Sequence, residues 1–220
     1  MKKHHHGVAG DDDAFLKPNR LEALQDGVFA IVMTLLVLEL KIPEDLHGDG
    51  ELWAYMRDLW PVFFSYVVTF VNLGVFWVGQ HAQYHFIKYS DRAVLWINIA
   101  FLLLVSLLPF STALLGRYGN DQVPCILYGL NVIAIGLASF WHWCYASHHH
   151  RLTSHDVSAG LTRGIKRRIL VAPCVSVIAI LASFLSPMLS LVLYLLLPIY
   201  YIWPGRVDQL WMRPAVPHDD

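Results

Sequence analysis

A chain of 220 residues in which 56% are hydrophobic and 15% charged is too apolar for an ordinary soluble domain, where about 25% of residues are charged. Its formal net charge of −1 argues against nucleic acid as a partner, because neutralising phosphates needs a basic balance. The charges are also bunched and leave long stretches without any, the pattern of an all-α, polytopic membrane protein.

Residues 1–18 read as a polar N-terminal segment ahead of the first apolar run. No small-residue cleavage pattern follows that run, so no removable signal is expected. The first span centres on Gly27 to Leu38, uncharged over 12 residues. Asn19 to Asp26 forms its polar approach, and Glu39 closes it. Trp60 to Gly79 is the second span, Ala93 to Leu115 the third and Val123 to Ala146 the fourth. Ile169 to Trp203 is apolar over 35 residues, roughly 52 Å as one helix and too long for one crossing. Ser186-Pro187 falls near its middle and favours a turn, which divides the run into spans 169–185 and 188–203. Residues 19–203 then form one six-helix domain, followed by a polar tail over 204–220.

Six crossings put both termini on one side. Of the sixteen Lys and Arg residues, thirteen fall on that side and only Lys41, Arg57 and Arg117 on the other. The positive-inside rule makes the terminal side cytoplasmic. Several tryptophans, including Trp60, Trp77, Trp141 and Trp203, lie near span ends, as interfacial belts do.

Cys125, Cys144 and Cys174 sit in apolar runs without pairing or metal-ligand spacing, and read as small buried side chains. No cofactor and no metal site is expected. No His-Glu-x-x-His or Gly-x-Ser-x-Gly signature points to an enzyme. Twelve histidines include His4-His5-His6 and His148-His149-His150, both read as loop residues. A pH sensor or adventitious metal binding is the other reading of the second run.

Ionisable residues at membrane depth are functional candidates by default. Arg20 and Asp26 lie roughly 9 Å apart along a helix, and Asp26 enters the membrane zone. The second span runs inward and brings Trp77 and His81 to the cytoplasmic end; the third runs outward with Asn98 about two turns in. Arg20, Asp26, Trp77, His81 and Asn98 are therefore expected at similar depth on three helices. They suit either a polar clamp between helices or a path for ions or protons. Above Asp26, Ile31, Thr34, Leu35 and Leu38 share one helix face. That stripe is either packing surface or, where first helices of several subunits meet, a constriction that gates by dewetting.

Arg20-Leu-Glu-Ala-Leu-Gln-Asp26-Gly-Val-Phe-Ala-Ile-Val-Met-Thr resembles the Arg-x-x-x-Phe-Ser-Asp signature of the transmembrane protein 175 family of potassium-permeable channels. Phe76-Trp77-Val-Gly-Gln80-His81 is similar to that family's Trp-x-x-His-His. Leu95-Trp96-Ile-Asn98, followed by Leu107-Leu108-Pro109-Phe110-Ser-Thr112, resembles its third helix. The matches span roughly residues 17–115. Leu24 and Gln25 depart from the signature's Phe and Ser, and Gln80 from the first His of its pair.

The resemblance implies that the polar residues hold the first three helices together. It also implies that the first helix lines a pore narrowed at Ile31 and Leu38, with Thr34 or Leu35 between. A Thr-Val-Gly-Tyr-Gly carbonyl filter is absent. The signature occurs once, and one helix cannot enclose a pore, so closed symmetry is expected; the resemblance to bacterial members implies a homotetramer in the bacterial inner membrane, with potassium as the permeant ion. A proton-coupled secondary transporter using Asp26 and His81 is the alternative, although no internal repeat supports it.

Overall fold

The computed structural model describes residues 19–45, 48–154 and 157–203. The expectations for the two polar termini and for His4-His5-His6 lie outside these residues.

The elements are α1 (Asn19–Leu35) with a 3₁₀ turn (Leu36–Glu39), α2 (Asp49–Asp58), α3 (Trp60–Phe86), α4 (Arg92–Ser106), α5 (Leu108–Tyr118), α6 (Gln122–Ser147), a 3₁₀ turn (His148–His150), α7 (Ala159–Ser183) and α8 (Pro187–Ile202). The protein is all-α, and a helix satisfies its backbone polar groups within itself, as membrane depth requires. Among the described residues four stretches are long and apolar enough to cross a membrane: Asn19–Glu39, Trp60–Phe86, Arg92–Tyr118 and Gln122–His150. Pro187–Ile202 is a shorter apolar helix, and α7 is uncharged beyond Arg168.

Proline marks most of the breaks. Pro61, Pro109 and Pro187 stand in the first turns of α3, α5 and α8, where a missing N–H costs nothing. The third expected span is thus a jointed helix, broken at Leu107 between α4 and α5. The loop expected between the first two spans carries the extra helix α2. Asp49 and Glu51 occupy its first turn and Arg57 its last, an order that suits the helix dipole. Pro173 lies inside α7. Beside it, the Tyr201 hydroxyl donates to the Arg168 carbonyl at 2.6 Å and accepts from the Ala172 N–H at 3.2 Å. A side chain inserted into the backbone ladder in this way accounts for a local opening of the helix and ties α8 to α7.

The bundle core runs through Phe29, Leu73, Phe101, Val105, Tyr128, Ile135 and Tyr194. Thr112 donates to Thr69 at 2.9 Å, and Asn72 donates to the Tyr128 hydroxyl at 3.1 Å, so α3, α5 and α6 are also joined by interior hydrogen bonds. Gly136 lets α6 and α7 approach closely, because a Cβ there would stand 2.5 Å from Pro173 Cγ. Helix α1 packs chiefly on α3 and α4, at the margin of this core.

At the basic end a short latch closes the bundle. Ile87 and Thr153 form an isolated antiparallel bridge, and the Lys88 N–H donates to the Leu152 carbonyl at 2.8 Å. Asp91 caps α4 by accepting from the Val94 N–H at 2.9 Å, accepts from the Tyr145 hydroxyl at 2.7 Å and pairs with Arg151 at 3.2 Å. Burial works to raise the Asp91 pKa, but these hydrogen bonds and the Arg151 charge outweigh it and hold the carboxyl below its ordinary value.

Of the three free cysteines only Cys125 is buried; Cys144 is half-buried and Cys174 exposed. The expectation of three buried thiols is corrected here. The outer face of a membrane helix is as apolar as its inner face, so an apolar run does not say which way a side chain points. His148, His149 and His150 form an exposed turn, with His149 and His150 at positive φ. Among the described residues no cluster of three His, Cys, Asp or Glu side chains could hold a metal ion.

Two outcomes test this packing. Gly136→Ala is expected to destabilise the protein by roughly 1–3 kcal/mol through overpacking against Pro173, read as a lower melting temperature in detergent; Gly27→Ala, which meets open space, should not. The lowered Asp91 pKa makes its contribution complete above the ordinary aspartate range near pH 4. It is lost as pH falls through the depressed value, so Asp91→Asn should flatten the acid limb of melting temperature against pH.

Candidate functional site

The spacing of side chains on α1 divides it into two faces. Leu21, Gln25, Phe29, Val32 and Leu36 are buried against the bundle. On the other side Ile31 is 60% exposed, Leu35 44% and Leu38 64%. Thr34 is exposed as well, and its hydroxyl donates to the carbonyls of Ala30 and Ile31 at 3.0 and 2.8 Å. All four stripe residues therefore stand on the side of α1 that its own bundle leaves uncovered.

Below the stripe the polar residues come together in part. Trp77 Nε1 donates to Asp26 Oδ1 at 2.8 Å. One turn lower His81 Nδ1 lies 3.4 Å from Glu22 Oε1, and the Trp77 and His81 rings stack 5.6 Å apart. Glu22 is the member that sequence reasoning missed. Its spacing of four from Asp26 was the available signal, since that puts both carboxylates on one helix face. Arg20 is exposed, and no hydrogen bond or ion pair joins it to Asp26 among the described residues. Asn98 is 0% exposed and makes no hydrogen bond to a side chain of the clamp.

Asn98 belongs instead to an interior layer. Leu21 of α1, Tyr84 of α3 and Val94 of α4 share one apolar cluster, and Phe29, Phe76 and Phe101 share another. One helical turn from each set, between the two, lie Gln25, Gln80 and Asn98, none more than 1% exposed. The two glutamines that depart from the family signature are thus core residues of the three-helix junction. Gln25 Oε1, Gln80 Oε1 and Nε2, and Asn98 Oδ1 and Nδ2 are buried there without a hydrogen-bond partner among the described residues, so the layer carries a desolvation cost at the three-helix junction. A second interior chain lies nearby: His142 Nδ1 is 3.0 Å from Gln83 Oε1, and Gln83 Nε2 donates to Ser139 Oγ at 2.9 Å. Gln83 can accept only from an N–H, so this amide orientation holds His142 as the Nδ1–H tautomer.

Chemically the site is an anchor for α1, with no nucleophile–base pair among the described residues. Apolar side chains stand free on one face, carboxylates held by an indole and an imidazole lie at its foot, and a carboxamide layer stands behind. Trp77→Phe should cost roughly 0.6–2 kcal/mol, the range for interhelical hydrogen bonds in membranes. In a double-mutant cycle with Asp26→Asn, thermal melts should show non-additive losses; fully additive losses would mean that the two side chains do not act as a pair.

Comparison with known proteins gives the family. The family described as "Endosomal/lysosomal potassium channel TMEM175" matches residues 20–109. A protein named potassium channel in Streptomyces collinus is 32% identical over 186 residues, covering 83% of this chain and 90% of that protein. The chicken (Gallus gallus) endosomal/lysosomal proton channel TMEM175 is 27% identical over 195 residues, 80% of this chain but 37% of that longer protein. The crystal structure of a lysosomal potassium-selective channel TMEM175 homolog from Chamaesiphon minutus superposes with a TM-score of 0.74 at 30% identity, covering 84% of this chain and 95% of that one. With a relative of this identity matched over nearly its whole length, and with the anchored first helix and the membrane-spanning bundle in place, the chain belongs to the TMEM175 family of ion channels, a class without enzymatic activity.

Proposed function

We propose that the chain is one subunit of a passive, potassium-permeable cation channel in which α1 of each subunit lines the pore. The observation that carries this reading is the uncovered stripe of Ile31, Thr34, Leu35 and Leu38 on a helix whose opposite face is anchored in the bundle. Large apolar side chains ringed around an axis exclude water when close together, so they act as filter and gate without backbone carbonyls. One stripe cannot form a ring. Closed symmetry follows, and a homotetramer is the state that the family resemblance favours.

In this reading residues 19–203 make six crossings, α7 and α8 supplying the last two. Both termini are cytoplasmic, with the polar segments 1–18 and 204–220 on that side, and the protein is multi-pass in the cell membrane, in a bacterium the inner one. Arg20, Asp26, Trp77, His81 and Asn98 serve as the interhelical polar network that holds α1, with Glu22 added to it. Arg20 then faces a neighbouring subunit or the pore mouth. No cofactor, metal or nucleic acid takes part. A proton-coupled carrier is the second reading, favoured by the Glu22–His81 contact and by Asp26 at the foot of the stripe.

Liposome flux separates the readings. Leu35→Asn and Ile31→Asn are expected to raise potassium flux several-fold or to lower potassium over sodium preference in bi-ionic bilayer recordings. Unchanged flux from substitutions at all four stripe positions would overturn the pore assignment. Saturable flux that requires a proton gradient, and that uncouples in Asp26→Asn, would establish the carrier instead.

A further inference from the structure

The fold leaves a cleft beside the anchor of α1. It has a volume of about 570 Å³ and opens between α1, α3, α6, α7 and α8, within the range of small-molecule sites. Its lining is graded along the bundle. Toward the middle lie Met33, Phe70 and Val71; toward the basic end lie Gln83, Ser139 and Arg168. The Arg168 guanidinium donates to the Tyr201 carbonyl at 3.1 Å and stands over the Tyr201 ring, which keeps a positive charge at the polar end.

Two further observations indicate what the cleft receives. Gly74 and Gly79 lie on its α3 wall, and a Cβ at either would meet nothing within 4 Å. Glycine weakens a helix interior relative to alanine, so clearance there is kept for something outside the chain. The charge beside the cleft has one sign. Arg168 lines the cleft, and Arg163, Lys166 and Arg167 stand on the adjoining turns in the first half of α7, which carries no acidic residue. Glu22, Asp26 and Asp91, acids toward the same end, already contact His81, Trp77 and Arg151.

We propose that this cleft binds an anionic phospholipid from the leaflet at the basic end of α7. One acyl chain lies along Gly74 and Gly79, and the phosphate is held by the Arg163, Lys166, Arg167 and Arg168 cluster. An apolar slot with basic side chains at its headgroup end matches such a lipid in shape and in charge. The leaflet is defined by the start of α7, so the site does not depend on which side of the membrane is cytoplasmic. Nor does it depend on which ion the pore conducts.

The purified full-length protein in detergent, titrated with phosphatidylglycerol or phosphatidylcholine of identical acyl chains, gives the test by native mass spectrometry. Phosphatidylglycerol should be retained at least ~5-fold more than phosphatidylcholine, about the effect of one basic side chain near a lipid surface. Gly74→Leu/Gly79→Leu should reduce phosphatidylglycerol retention by at least ~5-fold, and Arg163→Gln/Arg167→Gln should erase the preference between headgroups. Equal retention of the two lipids overturns the proposal. So does phosphatidylglycerol retention that the leucines leave unchanged while they alter subunit number, the outcome expected if a neighbouring subunit fills the cleft. Quenching of Trp77, which lines the cleft, gives a readout that needs no folded leucine variant. Bromoacyl phosphatidylglycerol should quench wild-type fluorescence more than bromoacyl phosphatidylcholine, with the difference lost in Trp77→Phe; equal quenching by the two again overturns the site.

Discussion

Helix α1 is held along one face only, and the rest of the molecule is arranged around that constraint. Phe29 packs in a tilted arrangement against Phe101 across the α1–α4 contact, with ring centroids 6.1 Å apart. Trp77 reaches from α3 to Asp26, and Leu21 and Leu36 close the two ends of the buried stripe. In a bilayer the usual hydrophobic force between helices is weak, because lipid tails are as apolar as leucine. Close packing and a few hydrogen bonds must therefore hold α1, and both are concentrated where α1 meets α3 and α4. The opposite face is left uncovered by the bundle.

Fixing a helix in lipid by a polar anchor has a consequence for tuning. The layer of Gln25, Gln80 and Asn98 sits between two apolar layers, and nothing in it titrates near neutral pH. Where the family signature places serine and histidine, this chain places two glutamines, so the interior of its junction is made of neutral groups. The titratable members, Glu22, Asp26 and His81, lie toward the exposed side of the junction. Charge is thus kept at the margin of the anchor, where water can solvate it, and out of its centre, where desolvation would be costly.

The remaining helices form a tighter unit. α6, α7 and α8 are locked by Gly136 against Pro173 and by Tyr201 inserted into the α7 backbone. Interior hydroxyls and an asparagine join α3, α5 and α6. These links tie α3, α5, α6, α7 and α8 together through the bundle interior, whereas α1 packs at its margin on α3 and α4.

Much of this was legible in the residues alone. The four long apolar stretches followed from uncharged runs measured against membrane thickness, and Ser186-Pro187 divided the last run where α7 gives way to α8. The two faces of α1 followed from a period of 3.6. Burial in a membrane protein was not legible in the same way, because lipid-facing and core-facing side chains are drawn from one apolar set; Cys174 and the cleft beside Gly74 and Gly79 could not be read from composition. The clamp was legible by depth but not by contact. Sequence puts Arg20, Asp26, Trp77, His81 and Asn98 at one level, but the azimuth of each helix depends on side chains from its neighbours. Only tertiary packing paired Asp26 with Trp77, brought Glu22 to His81 and turned Asn98 into the layer with Gln25 and Gln80. Sequence by itself determined which segments are apolar helices and how far along each helix a residue stands, because hydropathy and helical rise depend on the local chain alone. Which of those residues touch was decided by rotation about each helix axis, which no single helix can specify.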